Sequence, residues 1–97
     1  MYHTYIIYSK KFDRYYVGSC EDITARLARH NSKMVTSTKP YTPWEIVYTE
    51  TFSSRAEAVK RENAIKKKKS RKYIEWLIGL QKDYKTIITV FFFLILF

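Results

Sequence analysis

Two short runs near the N-terminus, Thr4-Tyr-Ile-Ile-Tyr-Ser9 and Tyr15-Tyr-Val-Gly-Ser19, restrict the fold more than any other part of this chain. Both are made largely of β-branched and aromatic residues, and Lys10 to Arg14 between them is polar apart from Phe12. That pattern predicts a β-hairpin. A chain of 97 residues has room for one domain with a modest core, so the hairpin must belong to that domain's sheet. An apolar content of 46%, with 18% aromatic residues, fits a folded domain and not a disordered chain.

The remaining elements follow from caps and periodicity. Asp22 is a good N-cap for a helix over 23–31, with Ile23 and Leu27 as its buried i, i+4 pair. Residues 32–43 read as a loop closed by Pro40 and Pro43, and Trp44 to Phe52 reads as a third strand. Ser54-Arg55-Ala56-Glu57 has capping-box spacing, which predicts a second helix running to about Lys67. A third helix is expected over Arg71 to Leu80, with Tyr73, Trp76, Leu77 and Leu80 at helical spacing. The expected class is α+β, a three-stranded sheet with three helices over residues 1–80, followed by an apolar tail over 81–97. Within that tail, Ile87 to Phe97 is eleven residues long, well short of the roughly 20 that a membrane-spanning helix needs. A core strand, a shallow membrane contact and an unpacked tail are all compatible with it.

Eighteen Lys and Arg against nine Asp and Glu leave a net charge of +9, a surface that attracts polyanions. Nucleic acid is the leading partner, with anionic lipid second. Cys20 is the only cysteine, so neither an intrachain disulfide nor a cysteine-based zinc site can form, and a reducing cytoplasm fits. His3 and His30 are too far apart to act as a helical pair of metal ligands, and the first residues lack the cationic and apolar pattern of a signal peptide.

Four residues stand out against this background. On a helical wheel Ala58, Val59 and Ile65 define the inward stripe of the second helix, and Glu62 falls between them. A carboxylate there needs a basic partner or a metal opposite it, unless it tilts out at the stripe's edge. Arg26 and His30 lie four apart on the first helix, where they either grip one phosphate together or stand as two solvated side chains. Tyr5 and Tyr16 lie on adjacent strands, where tyrosine is usually half-buried packing. Use of either as a base requires positive charge beside it. Gly18 removes a side chain next to this surface and permits close approach of another group.

Taken in order, Tyr5-Ile-Ile-Tyr-Ser, Tyr15-Tyr-Val-Gly-Ser, Asp22-Ile-Thr-Ala-Arg26-Leu, His30-Asn31, Pro43-Trp44-Glu-Ile-Val-Tyr and Glu57-Ala-Val-Lys-Arg-Glu62 resemble the GIY-YIG nuclease family over roughly residues 2–80. The likeness is to its small single-domain bacterial members, which are similar to the N-terminal nuclease domain of the incision enzyme of nucleotide excision repair. The resemblance implies a three-stranded antiparallel sheet flanked by helices. It places Tyr5 and Tyr16 at the tyrosines of the two motifs, Arg26 at the helical arginine, His30 in a secondary catalytic position and Glu62 at the metal ligand. Ser19 stands where some members carry a lysine beside the second motif.

The expected function is therefore a Mg²⁺-dependent (or Mn²⁺-dependent) DNA endonuclease of low sequence specificity, set in DNA repair or recombination and using no small-molecule cofactor. Lys10, Lys11, Arg14, Lys33, Lys39, Lys66, Lys67, Lys68 and Lys69 are its expected DNA contacts, because such charges release counterions without reading sequence. Two competing classes share the same residues. One is a non-catalytic nucleic-acid-binding module of this fold, the other a membrane-associated adaptor working through the tail, with membrane contact ranked below DNA. Neither the oligomeric state nor the division of labour between the tyrosines follows from the sequence.

Overall fold

The computed structural model describes residues 1–81. Strands β1 (Tyr2–Ser9), β2 (Arg14–Cys20) and β3 (Glu45–Phe52) form one antiparallel sheet in the order β2-β1-β3. Helix α1 (Ile23–Asn31) follows β2, and α2 (Arg55–Lys68) follows β3. A third helix, α3, occupies residues 71–81. The expected class and element order are present, with β1 and β2 each extended beyond the expected runs at their N-terminal ends. The apolar run 87–97 lies outside the described residues. Among the described residues no helix is long and apolar enough to cross a membrane.

The central position of β1 explains why its Tyr-Ile-Ile core shows no polar alternation, since both faces of the strand are covered. Side chains alternate across the sheet. Ile6 joins Val17, Tyr48, Ile65, Leu77 and Ile78 on one face, whereas Tyr5 and Ile7 join Cys20 and Trp44 on the other. Helices α2 and α3 therefore cover the first face, and α1 with the 32–44 segment covers the second, where Ile23 and Leu27 pack as expected. Opposite Ile6 and Ile7 the β1–β3 register slips by one residue at Val47, a β-bulge.

Both expected caps are made. Asp22 Oδ1 accepts from the Ala25 amide at 3.0 Å, and the Ser54 side chain accepts from the Glu57 amide at 3.2 Å. Two helix faces differ from expectation. Val59 is 38% exposed, so α2 packs through Ala58 and Ile65, with the Ala58 carbonyl also taking the Thr4 hydroxyl at 2.7 Å. In α3, Trp76 is 56% exposed and Leu80 also faces out, while Leu77 and Ile78 are buried and Tyr73 and Ile74 pack against them. A 73/74/77/78 stripe has the same period as the expected one but is rotated by part of a turn. Gln81 completes α3 and presents its side-chain amide to the β3 backbone, donating to Thr49 O at 2.8 Å and accepting from Thr49 N at 3.3 Å. That contact covers part of the outer edge of β3.

Candidate active site at the edge of strand β2

Tyr5 lies directly across from Gly18 in the β1–β2 register. A Cβ on Gly18 would stand 2.5 Å from Tyr5 Oη and 2.6 Å from its Cζ, so the missing side chain is the space through which the Tyr5 ring crosses β2. The close approach that Gly18 permits is thus made by the protein's own tyrosine. The Tyr5 ring centroid lies 6.4 Å from that of Tyr16 and 5.9 Å from that of His30, and Tyr16 and His30 are 5.1 Å apart. The three rings form one cluster on the α1 side of the sheet, with Tyr16 only half-buried.

His30 does not grip a phosphate with Arg26, nor is it solvated; it is 1% exposed with both ring nitrogens engaged. Nδ1 lies 2.8 Å from Thr38 Oγ1, whose own proton is given to Val35 O at 3.3 Å. Thr38 Oγ1 must then accept from Nδ1–H, which leaves Nε2 as the lone pair that accepts the Tyr5 O–H at 2.8 Å. Burial, reinforced by Arg26 and Arg29, holds the His30 pKa below its ordinary value, consistent with this neutral tautomer. Burial also pushes the Tyr5 phenol well above its ordinary range, with Tyr16 adding to the shift and the neighbouring Arg26 guanidinium opposing it. The charge of Arg26 also favours the thiolate of Cys20, although burial of Cys20 dominates and raises its pKa. Arg26 therefore sits at the margin of the cluster, half-buried, close to Tyr5, His30 and Cys20.

Thr38 is the residue that the sequence reading missed. It lies in a stretch of Ser, Thr and Lys with no periodic pattern, and it becomes a buried acceptor because the segment is pinned at both ends. Asn31 clamps the Trp44 backbone, donating to its carbonyl at 3.0 Å and accepting from its amide at 2.6 Å. The Trp44 indole donates to Thr38 O at 3.0 Å. An asparagine immediately after a helical histidine, facing a tryptophan after proline, is the one signal that could have pointed to this clamp.

Glu62 approaches the same strand edge from the other face. Ser19, on the opposite side of β2 from Tyr16, donates its hydroxyl to Glu62 Oε1 at 2.6 Å, and Lys66 Nζ donates to Oε2 at 2.5 Å. The basic partner that a carboxylate in this position requires is thus Lys66, four residues along the same helix. Lys66 Nζ also lies 5.7 Å from the Tyr16 ring centroid, which joins the carboxylate to the tyrosine cluster across the β2 edge. Among the described residues no group of three or more His, Cys, Asp or Glu side chains comes together as a metal cage. One carboxylate is nevertheless a fitting donor for Mg²⁺, a hard cation that commonly takes one or two carboxylates and fills its shell with waters and substrate phosphate oxygens.

The basic residues divide into committed and exposed groups. Arg61 is held by Glu50 at 2.7 Å and by Tyr73 Oη at 3.3 Å, and Arg71 by Asp13 and Glu75, so both are committed to contacts within the fold. The Asp13–Arg71 pair ties the hairpin turn to α3. Arg14 stacks on the Tyr41 ring at 4.2 Å, and Lys11 lies over Phe12 at 5.5 Å. Lys10, Lys33, Lys39, Lys67, Lys68 and Lys69 are exposed, and Lys68 lies 5.4 Å from the Tyr73 ring centroid.

The sheet ordered β2-β1-β3 thus carries a tyrosine on each of two paired strands and meets a glutamate from a later helix at their edge, and the chain matches the GIY-YIG catalytic domain over residues 1–74. It belongs to this nuclease family. Within it the chain is similar to the UPF0213 proteins. One from Listeria welshimeri is 32% identical over 82 residues, covering 84% of this chain and 91% of that protein. Another, from Staphylococcus epidermidis, is 44% identical over 52 residues, which make up 53% of this chain and only 63% of the relative's length. The solution NMR structure of a UPF0213 protein from Bacillus halodurans superposes with a TM-score of 0.50 at 32% identity, covering 82% of this chain and 85% of that one.

Proposed function

We propose that this chain is a divalent-cation-dependent DNA endonuclease that hydrolyses phosphodiester bonds at the β2 edge with little sequence preference. The observation that carries the reading is the convergence of Tyr16, Tyr5, Arg26 and Glu62 on one strand edge although they come from four separate elements. Nucleic acid suits this edge because Lys66 stands beside it and further lysines are exposed, charges that act on backbone phosphates irrespective of base.

Exposure supports a division of labour between the phenols. Tyr5 is 1% exposed and gives its proton to a neutral histidine, so its role is to fix the cluster and stand beside Arg26. Tyr16 is half-buried on the edge strand β2, which suits the phenol that takes a proton from attacking water. A phenol acts as a base at neutral pH only beside positive charge, and the cluster has the Arg26 guanidinium beside Tyr5 and the Lys66 ammonium over Tyr16. The Arg26 fork also suits the extra negative charge of a phosphate under attack. Glu62 would hold the divalent cation, with Ser19 fixing the rotation of its carboxylate. When bound, such an ion polarises the scissile phosphate and offsets its charge.

The test is cleavage of a panel of branched, nicked, duplex and single-stranded DNAs with Mg²⁺, Mn²⁺ or chelator present. Glu62→Gln should abolish the cut while leaving folding and DNA binding nearly intact, and Arg26→Ala should slow it on the order of a hundredfold or more. Binding of the panel without any metal-stimulated cleavage would instead make the chain a nucleic-acid-binding module of this fold.

A further inference from the structure

The Glu62 carboxylate has both oxygens engaged, one by the Ser19 hydroxyl and one by the Lys66 ammonium. We propose that Lys66 is the resident counter-ion of Glu62 in the DNA-free protein and is exchanged for a divalent cation when a phosphodiester arrives, which makes metal and DNA binding cooperative. This rests on the reading of Glu62 as the metal ligand.

Charge counting gives the reason. Glu62 and Lys66 together are neutral, so a divalent cation added at the carboxylate leaves two positive charges in excess beside a cationic surface. A phosphodiester removes one of them and supplies oxygen donors that a lone carboxylate cannot, since Mg²⁺ and Mn²⁺ need a fuller oxygen shell. Lys66 can leave without any change in the backbone. It is half-exposed on a flexible stem, and the pair is an i, i+4 surface contact of the modest kind. The ammonium also has somewhere to go. Its Nζ already stands 5.7 Å from the Tyr16 ring centroid, so a turn of the side chain lays it on the ring face, still at the β2 edge and still able to meet a phosphate. Ser19 keeps its hydrogen bond to the other oxygen throughout and holds the carboxylate in place for either cation. The neighbouring Lys68 lies over Tyr73 and is not expected to share this role.

The experiment is Mn²⁺ binding to the full chain without DNA at low ionic strength, followed by the electron paramagnetic resonance signal of free Mn²⁺. It would be run for the wild type, Lys66→Met, Lys68→Met and Glu62→Gln, and for Lys66→Met combined with Glu62→Gln, each checked for its fold by NMR. Lys66→Met should bind Mn²⁺ about three- to tenfold more tightly than wild type, as expected for removing one nearby competing charge, and Lys68→Met should change it less than about twofold. Glu62→Gln should cancel the gain. Adding a duplex with an uncleavable backbone should tighten Mn²⁺ binding more in the wild type than in Lys66→Met. Equal effects of the Lys66 and Lys68 substitutions, with Glu62→Gln still weakening Mn²⁺ binding, would overturn the exchange and leave Glu62 as the ligand. Mn²⁺ binding indifferent to Glu62→Gln in both backgrounds would overturn the ligand assignment and the exchange with it.

Discussion

Gly18→Ala sets two effects of opposite sign against each other. By backbone preference alone the change should stabilise a strand, because glycine within a strand costs roughly 0.5–1 kcal/mol relative to alanine. The new methyl, however, would lie 2.5 Å from Tyr5 Oη, 2.6 Å from Cζ and 3.0 Å from Cε1, where carbon contacts are ordinarily about 3.5–4.0 Å. The far end of a flexible side chain could give way cheaply, but Tyr5 is a rigid ring packed with Ile7, Cys20 and Trp44 and tied to His30. Overpacking of this kind costs about 1–3 kcal/mol. If the ring shifts to relieve it, the buried Nε2 of His30 loses its donor, at a further cost of about 1–3 kcal/mol. The clash therefore outweighs propensity, and Gly18→Ala should destabilise by about 2–4 kcal/mol in urea unfolding followed by far-ultraviolet circular dichroism. Tyr5→Phe removes the atom nearest the new methyl. The double variant should consequently lose less than the sum of the two single losses, with a coupling on the order of 1 kcal/mol. A Gly18→Ala protein as stable as wild type, or more so, would refute the argument that the glycine exists to let the tyrosine pass.

Three other outcomes are expected. The His30 pKa is lowered in the fold, so the unfolded chain binds the extra proton first as pH falls. Stability should be fully present above about pH 6.5 and decline below it, and His30→Gln should lose that dependence when denaturation midpoints are compared between about pH 5 and 7.5. Should about five phosphates be neutralised, the slope of log K against log salt in DNA-binding titrations should lie near −4 to −5, and neutralising Lys67, Lys68 and Lys69 together should flatten it by about 2–3. Lys69 ends α2 with a left-handed φ of 47°, so Lys69→Gly should raise stability by about 0.5–1 kcal/mol in thermal or urea unfolding.

The sequence alone was enough to specify the three strands, the three helices and their order, though not the 3₁₀ turn Lys39–Tyr41 within the 32–43 loop. Alternating and continuous β-branched runs mark strands, Asp22 and Ser54 mark helix starts, and each depends on residues within a few positions of one another, which is why local reading suffices. The identity of the candidate residues Tyr5, Tyr16, Arg26 and Glu62 was legible for a different reason, the order of several motifs taken together. Their contacts were not legible. Spacing gives the angle between two side chains about one helix axis, but not which direction faces the sheet. Hence Val59 and Trp76 turn outward although they share the period of residues that are buried. His30 looks like an ordinary member of a basic helix until the 32–44 segment folds back and places Thr38 at one ring nitrogen while Tyr5 of β1 takes the other. Lys66 looks like one of four consecutive lysines. Only packing of α2 beside β2, with Ser19 and Tyr16 on opposite faces of that strand, decides that Lys66 holds Glu62 while Lys68 lies over Tyr73. Hydrogen-bond direction, burial and charge pairing arise between segments distant in sequence, and so they exist only once the tertiary structure has brought those segments together.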